Sequence, residues 1–234
     1  MAGKASTLPR LLLYIHEASP PSNAVKMLAN ILDLKIEYKE LDVLKLEHRT
    51  AEFKKLNPIG MFPVLQDNDF IVSESHTIMK YLLRKYGGDH EERLYPSDIE
   101  TRSKIDTCLF FDAGVIFIRL KVVAVPTLLN GYPGPSLEQL SDIDDAYSVL
   151  EAYLQNSKYI AANHLTIADL SLGSTTTAMQ AIHKLDEHKF PRTAKWLSLI
   201  GNESFFKEIN VPSVALFAEA LNTFWEINKK KDQI

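Results

Sequence analysis

Apolar positions change their rhythm along this chain, and the change divides it in two. In the first third they come as short runs punctuated by turn residues. Leu11, Leu12, Leu13, Tyr14 and Ile15 form an apolar run of strand length, and residues 36–41 alternate weakly. Residues 62–66 and 70–73 flank the polar turn Asp67-Asn68-Asp69, which is a hairpin signal. Between these runs Val25, Leu28, Ala29 and Leu32 recur at helical spacing, residues 50–56 predict a short helix stopped before Pro58, and Ile78, Tyr81, Leu82 and Tyr86 mark a helix over 75–85. The order is β-α-β-α-β-β-α.

Beyond the polar stretch Gly87-Gly88-Asp89-His90-Glu91-Glu92 only the helical period persists. Ser97 with Glu100, Ser136 with Gln139, and Thr166 with Asp169 have the spacing of capping boxes, each ahead of an apolar stripe. The stripes predict helices from 97, from 136, over 170–183, over 191–200 and over 214–227. The pattern therefore gives an α/β unit over 8–87, a linker over 88–96 and an all-helical unit over 97–234, with residues 1–8 disordered. Lys229-Lys230-Lys231 reads as a solvated terminus.

Composition adds exclusions. The chain has 234 residues, is 46% hydrophobic and 24% charged, and carries a net charge of −4, so no basic surface argues for nucleic acid. No apolar run approaches the ~20 residues that span a bilayer, and the first ten residues lack the apolar core of a signal peptide. With a single cysteine, Cys108, no internal disulfide framework exists, which points to the cytosol. Cys108 lies in an apolar helical stretch and reads as buried and inert. His183 and His188 stand five apart rather than at the i, i+4 spacing of a helical metal pair, so no metal site is expected.

The candidate chemistry sits at two helix N-termini. Ser19 precedes Pro20-Pro21, a helix start that gives up no N–H bonds, and Glu74-Ser75 opens the helix after the hairpin. Pro63 marks an edge, a turn or a cis bond at the first hairpin strand. A cis bond would turn the backbone N–H and C=O of Phe62 outward toward an extended peptide, and a carboxylate suits the helix end at Ser75.

Phe62-Pro63-Val64-Leu65 followed by Glu74-Ser75 resembles the glutathione site of the glutathione transferases. Ser19-Pro20-Pro21, Glu47-His48, Lys55-Leu56-Asn57-Pro58, Glu74-Ser75-His76, Phe111-Asp112-Ala113-Gly114-Val115-Ile116-Phe117 and Leu165-Thr166-Ile167-Ala168-Asp169 extend the resemblance over nearly the whole chain. Together they are most similar to the insect delta and epsilon classes, epsilon above all. The resemblance, with the element order, implies a thioredoxin-like N-terminal domain followed by an all-helical C-terminal one. It implies a cytosolic homodimer that uses glutathione as co-substrate.

In that reading Ser19 is the catalytic residue, a hydroxyl donor to the glutathione sulfur at a positive helix end. A free thiol with pKa near ~8.5 is only a few per cent ionised at neutral pH and needs such help. The alternative for Ser19 is a plain helix cap, and Tyr14 is a rival donor. Glu74 takes the γ-glutamyl amine, Ser75 its carboxylate, and Phe62, held by Pro63, the cysteinyl backbone. His48 is placed near the glycyl carboxylate, or is a surface histidine. Arg119 reaches the glutathione side, or is solvated or ion-paired. The apolar walls for an electrophile are expected from Ala18, Phe111, Val115, Phe117, Ile118, Val122, Val123, Phe206 and Phe217. Asp112 is either a polar anchor there or ion-paired at a dimer interface.

Two departures stand out. Where the epsilon pattern has a histidine for the glycyl carboxylate this chain has Gly60, so glutathione binding is expected to be weaker and Gly60→His to tighten it. The family's Ser-Pro-Pro-Cys-Arg appears as Ser19-Pro20-Pro21-Ser22-Asn23. The function implied is conjugation of the glutathione thiolate to hydrophobic electrophiles, for detoxification or in a sterol or hormone-precursor role. The alternative is a non-catalytic carrier of hydrophobic ligands on the same fold.

Overall fold

The computed structural model describes residues 10–231, so the disorder expected for residues 1–8 lies outside the described residues. Four strands, β1 (Leu11–Ile15), β2 (Ile36–Glu40), β3 (Val64–Asp67) and β4 (Phe70–Ser73), form one sheet in the order β2-β1-β3-β4. β2 runs parallel to β1, while β3 and β4 run antiparallel to their neighbours, with Leu13 opposite both Tyr38 and Leu65. Leu13 and Leu65 are fully buried because helices cover the sheet. Asn68 takes a positive φ of 53° in the hairpin turn, where asparagine is one of the few tolerated residues.

Helix α1 (Pro20–Ile31) supplies Val25 and Leu28, and the short α2 (Phe53–Leu56) supplies Phe53; α3 (Ser75–Tyr86) supplies Ile78, Met79, Leu82 and Leu83. This is a thioredoxin-like unit. The segment expected as a linker contains a further helix, α4 (Asp89–Leu94), because Leu94 is drawn fully into the core.

The rest is helical. α5 (Ile99–Phe111), a π-helical turn (Asp112–Ile116) and α6 (Phe117–Asn130) make one continuous rod. α7 (Leu137–Tyr153), α8 (Ile167–Met179), α9 (Pro191–Gly201), a second π-helical turn (Phe206–Asn210) and α10 (Val211–Lys231) follow. The cap of α5 is Asp98, which accepts from the Thr101 N–H at 2.9 Å; Ser97, expected there, gives both its N–H and its hydroxyl to Glu92. α8 ends at Met179 rather than continuing to 183, since the N–H groups of Ala181 and Ile182 close shorter turns onto Ala178 and Met179. The three lysines expected in a loose tail complete the last turn of α10, where cations suit the helix dipole.

α8 is the centre of this domain, buried along nearly its whole length and packed against α1 and α5. At its start the buried Asp169 accepts from the N–H groups of Ile160 and Thr166, from the Thr166 hydroxyl and from the Trp196 indole, at 2.8–2.9 Å. Burial raises the Asp169 pKa, and these four donors oppose the rise. At the end of the inner strand β3, Asp67 accepts from Tyr81, Lys85 and Tyr86 and ties β3 to the far end of α3.

Candidate active site

The sequence places a serine where α1 begins, and the fold opens a cavity in front of it. Ser19 is the N-cap of α1 with extended φ and ψ; its Oγ accepts a long 3.4 Å bond from the Ser22 N–H. That bond uses an oxygen lone pair and leaves the hydroxyl proton to donate elsewhere. Pro20 and Pro21 carry no N–H, so Ser19 stands alone at the positive end of the helix. It is only 7% exposed, and its exposed part faces a cavity of about 720 Å³. Tyr14 does not line that cavity: it is buried edge-on against Phe53, with Lys39 over its ring.

Phe62 lines this cavity and a second one of about 200 Å³ beside it. The Phe62–Pro63 peptide bond is cis, and Pro63 is buried in the wall of the smaller cavity. Among the described residues neither the N–H nor the C=O of Phe62 has a hydrogen-bond partner. Glu74 and Ser75 line the smaller cavity too. Glu74 holds φ at 70°, a conformation a side-chain-bearing residue adopts only when its surroundings impose it. No side chain caps α3, so its first N–H groups are available to an anion.

Asp112 opens the π-helical turn and lies at the same end of the smaller cavity, not in the apolar one. Its Oδ2 accepts from the Ser171 hydroxyl at 2.5 Å and lies 3.1 Å from His76 Nε2, while Oδ1 is buried without a partner. The carboxylate thus ties α3 to α8 across the two domains, with one oxygen left over.

His48 lines neither cavity. Its ring is 5% exposed and stands edge-on to Phe62 at 5.6 Å. Burial first, then the charges of Arg49 and His16, lower its pKa, so the ring is neutral at physiological pH and supports Phe62 by packing. Arg119 is turned away. Its Nε donates to the Asp142 C=O on α7 at 2.7 Å and its Nη1 to the Val115 C=O at 3.2 Å. The lysine that lines both cavities is Lys121, two positions further along α6, which the sequence reading missed.

The larger cavity is apolar on the α6 and α10 side. Phe117, Leu120, Ala124 and Leu128 face it from α6, Phe217 and Phe224 from α10, and Ala18 from the loop before Ser19. Of the other expected wall residues, Ile118 borders only the smaller cavity. Phe111 packs edge-on against Tyr153, and Val115 is packed against the core. Val122 is 46% exposed, Val123 is fully buried, and Phe206 lies in the core beside Gly173. The misses fall on several elements: Phe111 and Val115 pack inward ahead of α6, Phe206 packs inward ahead of α10, and on α6 itself the face turned to the cavity is that of Phe117, Leu120, Ala124 and Leu128 rather than Val122 and Val123.

Gly60 takes φ +65° and closes a turn onto the Asn57 C=O at 2.8 Å. Its backbone runs so close to His48 that a side chain there has no room, so the glycine is fitted to this loop rather than a gap awaiting a histidine. Cys108 is buried, and burial first, with Asp169 nearby, pushes its thiol up to about 12, so it is inert.

Comparison with known proteins fits this geometry. The family model for the N-terminal domain of glutathione S-transferase matches residues 13–90, and that for the C-terminal domain matches residues 135–202. Glutathione S-transferase 1 of Manduca sexta is 34% identical over 204 residues, which cover 86% of this chain and 93% of the relative. An epsilon-class glutathione S-transferase structure from the housefly, Musca domestica, is 32% identical, covering 92% of this chain and 98% of that one, with a TM-score of 0.88. A glutathione transferase homolog from Drosophila mojavensis, solved with bound glutathione, is 33% identical with the same coverage and TM-score.

Proposed function

The chain belongs to the glutathione S-transferase family, and from that premise we propose how its residues divide the work. It is a glutathione transferase with glutathione as co-substrate. Glutathione lies along the smaller cavity, its cysteinyl backbone paired with the free N–H and C=O of Phe62 beside Pro63. Glu74 takes the γ-glutamyl ammonium, and Ser75 with the uncapped α3 N-terminus takes the carboxylate. Lys121, rather than Arg119, is the cation for the glycyl carboxylate or for an anionic group on the electrophile. His48 acts through Phe62.

The sulfur then comes to rest at Ser19. The hydroxyl donates to the thiolate, and the positive end of α1 favours the anion over the thiol. The thiolate attacks the electrophilic carbon of a hydrophobic molecule held against Phe117 and Phe217. A carbon–sulfur bond forms while the electron pair leaves on the displaced group or moves into the conjugated system. Ser19 and Phe62 share the cavity whose far wall is apolar, and that observation carries the reading.

The residue pattern and the likeness to the housefly structure support the epsilon class. The resemblance, together with apolar side chains exposed at Phe70 and Ile71 on β4 and at Phe110 on α5, supports a homodimer. Family membership supports a cytosolic location, with detoxification or a sterol or hormone-precursor role. Among the described residues no helix is long and apolar enough to cross a membrane.

An ultraviolet difference titration with glutathione across pH tests the site. A thiolate signal that persists near neutral pH is the expected result. Binding without that signal would return the protein to the ligand-carrier alternative and Ser19 to a helix cap.

A further inference from the structure

The geometry points to Ser213 as a positioning residue for Ser19, reaching from the helical domain to hold the thiolate site from both sides. Ser213 lies in the first turn of α10 and is 2% exposed. Its hydroxyl donates to the Glu17 C=O at 2.6 Å, two residues before Ser19. The same oxygen accepts from the Asn23 side-chain amide at 2.6 Å, four residues after Ser19. The Asn23 backbone N–H returns to the Ser19 C=O at 2.9 Å. Ser19 is therefore bracketed in sequence by two groups that meet on one hydroxyl.

The bracket is anchored. Asn23 also donates to Asn210 Oδ1 at 3.3 Å, and Ser174 on α8 donates to the same oxygen at 2.5 Å. On the other side of the loop the Glu17 N–H donates to Glu40 Oε1 at 2.7 Å, so the Glu17 residue is fixed at both its N–H and its C=O. Asn23 occupies the place where the family's Ser-Pro-Pro-Cys-Arg pattern carries a charge. It is fully buried, where a short neutral amide is accommodated and an unpaired guanidinium would not be.

Ser213 also lies just ahead of Leu216 and Phe217, which line the electrophile cavity. The helix that forms the apolar wall thus holds the loop that presents the donor to sulfur. A buried network that merely joined the domains would affect stability alone. Because this one ends on the residues either side of Ser19, it sets the direction of the Ser19 hydroxyl and so the thiolate pKa.

This inference rests on Ser19 acting on the glutathione sulfur, and the test separates the two. Glutathione thiolate is titrated by ultraviolet difference, and rate against pH is measured, for Ser19→Ala, Ser213→Ala, Ser213→Thr and Ser213→Cys in the full-length protein. Ser213→Ala is expected to raise the pKa of bound glutathione by about half a unit or more, a roughly threefold loss of thiolate at pH below that pKa that shrinks near neutral pH and disappears in alkali. Ser213→Thr keeps the hydroxyl and restores the profile. Ser213→Cys, a weaker donor of similar size, gives an intermediate shift and serves where the alanine variant does not fold. If Ser19→Ala moves the titration and neither Ser213→Ala nor Ser213→Cys does, the positioning role is overturned while the Ser19 reading stands. If Ser19→Ala leaves the titration in place, the Ser19 reading itself fails.

Discussion

A Cβ at Gly60 would lie 2.8 Å from the His48 carbonyl oxygen, closer than side chains approach a backbone. With φ at +65°, position 60 is closed to a side chain by conformation and by contact. Gly60→His is therefore expected to lower stability by about 1–3 kcal/mol instead of improving glutathione binding. Thermal unfolding with and without glutathione checks this; an unchanged midpoint with tighter binding would show that the loop rearranges to admit the histidine.

Ser19→Ala is expected to raise the pKa of bound glutathione by about one unit or more, about a tenfold or greater loss of thiolate at pH below that pKa and a smaller one near neutral pH. Binding of glutathione itself changes little, since the contacts at Phe62, Glu74 and Ser75 remain. Rate against pH, with glutathione binding followed in parallel, separates the two effects.

Lys121 borders both cavities, whereas Arg119, two positions earlier, bonds the Asp142 and Val115 carbonyls. Lys121→Ala is expected to raise the KM for glutathione several-fold to about a hundredfold, the range for losing a hydrogen bond to a charged group. That loss shrinks as salt is added. Arg119→Ala removes bonds to the Asp142 and Val115 carbonyls and is expected to cost stability by about 1 kcal/mol while leaving that KM in place. Steady-state kinetics at two salt concentrations, together with unfolding, checks the pair.

Asp67 connects acidity to stability. Burial alone would raise its pKa, but hydrogen bonds from Lys85, Tyr86 and Tyr81 outweigh burial and hold it below the ordinary carboxylate value. A depressed folded pKa means that its stabilisation is complete above the unfolded value and is lost as pH falls through the folded one. Asp67→Asn is expected to cost about 2–3 kcal/mol at neutral pH. The gap to the parent protein narrows as pH drops below about 4. A constant gap in unfolding midpoint across that range would assign the effect to shape rather than to charge.

Much of the fold was legible because it rests on local rules. Leu11, Leu13 and Ile15 are apolar at strand spacing, Asn68 tolerates the hairpin turn, and Ser136 with Gln139 and Thr166 with Asp169 close capping boxes that the residues themselves spell out. The cap of α5 was misplaced by one position because Ser97 is claimed by Glu92, a competition that no capping pattern displays.

The site divided along the same line. Ser19 before two prolines and Glu74-Ser75 at a helix start are consequences of short stretches of chain and could be read from the residues alone, whereas at Pro63 the residues left an edge, a turn and a cis bond open and the fold selected the cis bond. That Lys121 borders both cavities while Arg119 turns to α7, which side of α6 faces the cavity, the neutral burial of His48 and the grip of Ser213 on Glu17 follow from the packing of the whole chain. Each depends on how a helix is rotated in its packing, or on contacts between residues far apart in the chain. A one-residue change of phase rotates a helical side chain by about 100°. No periodicity read along one chain fixes such a rotation, because the packing of α6 against α7 and α10 sets it.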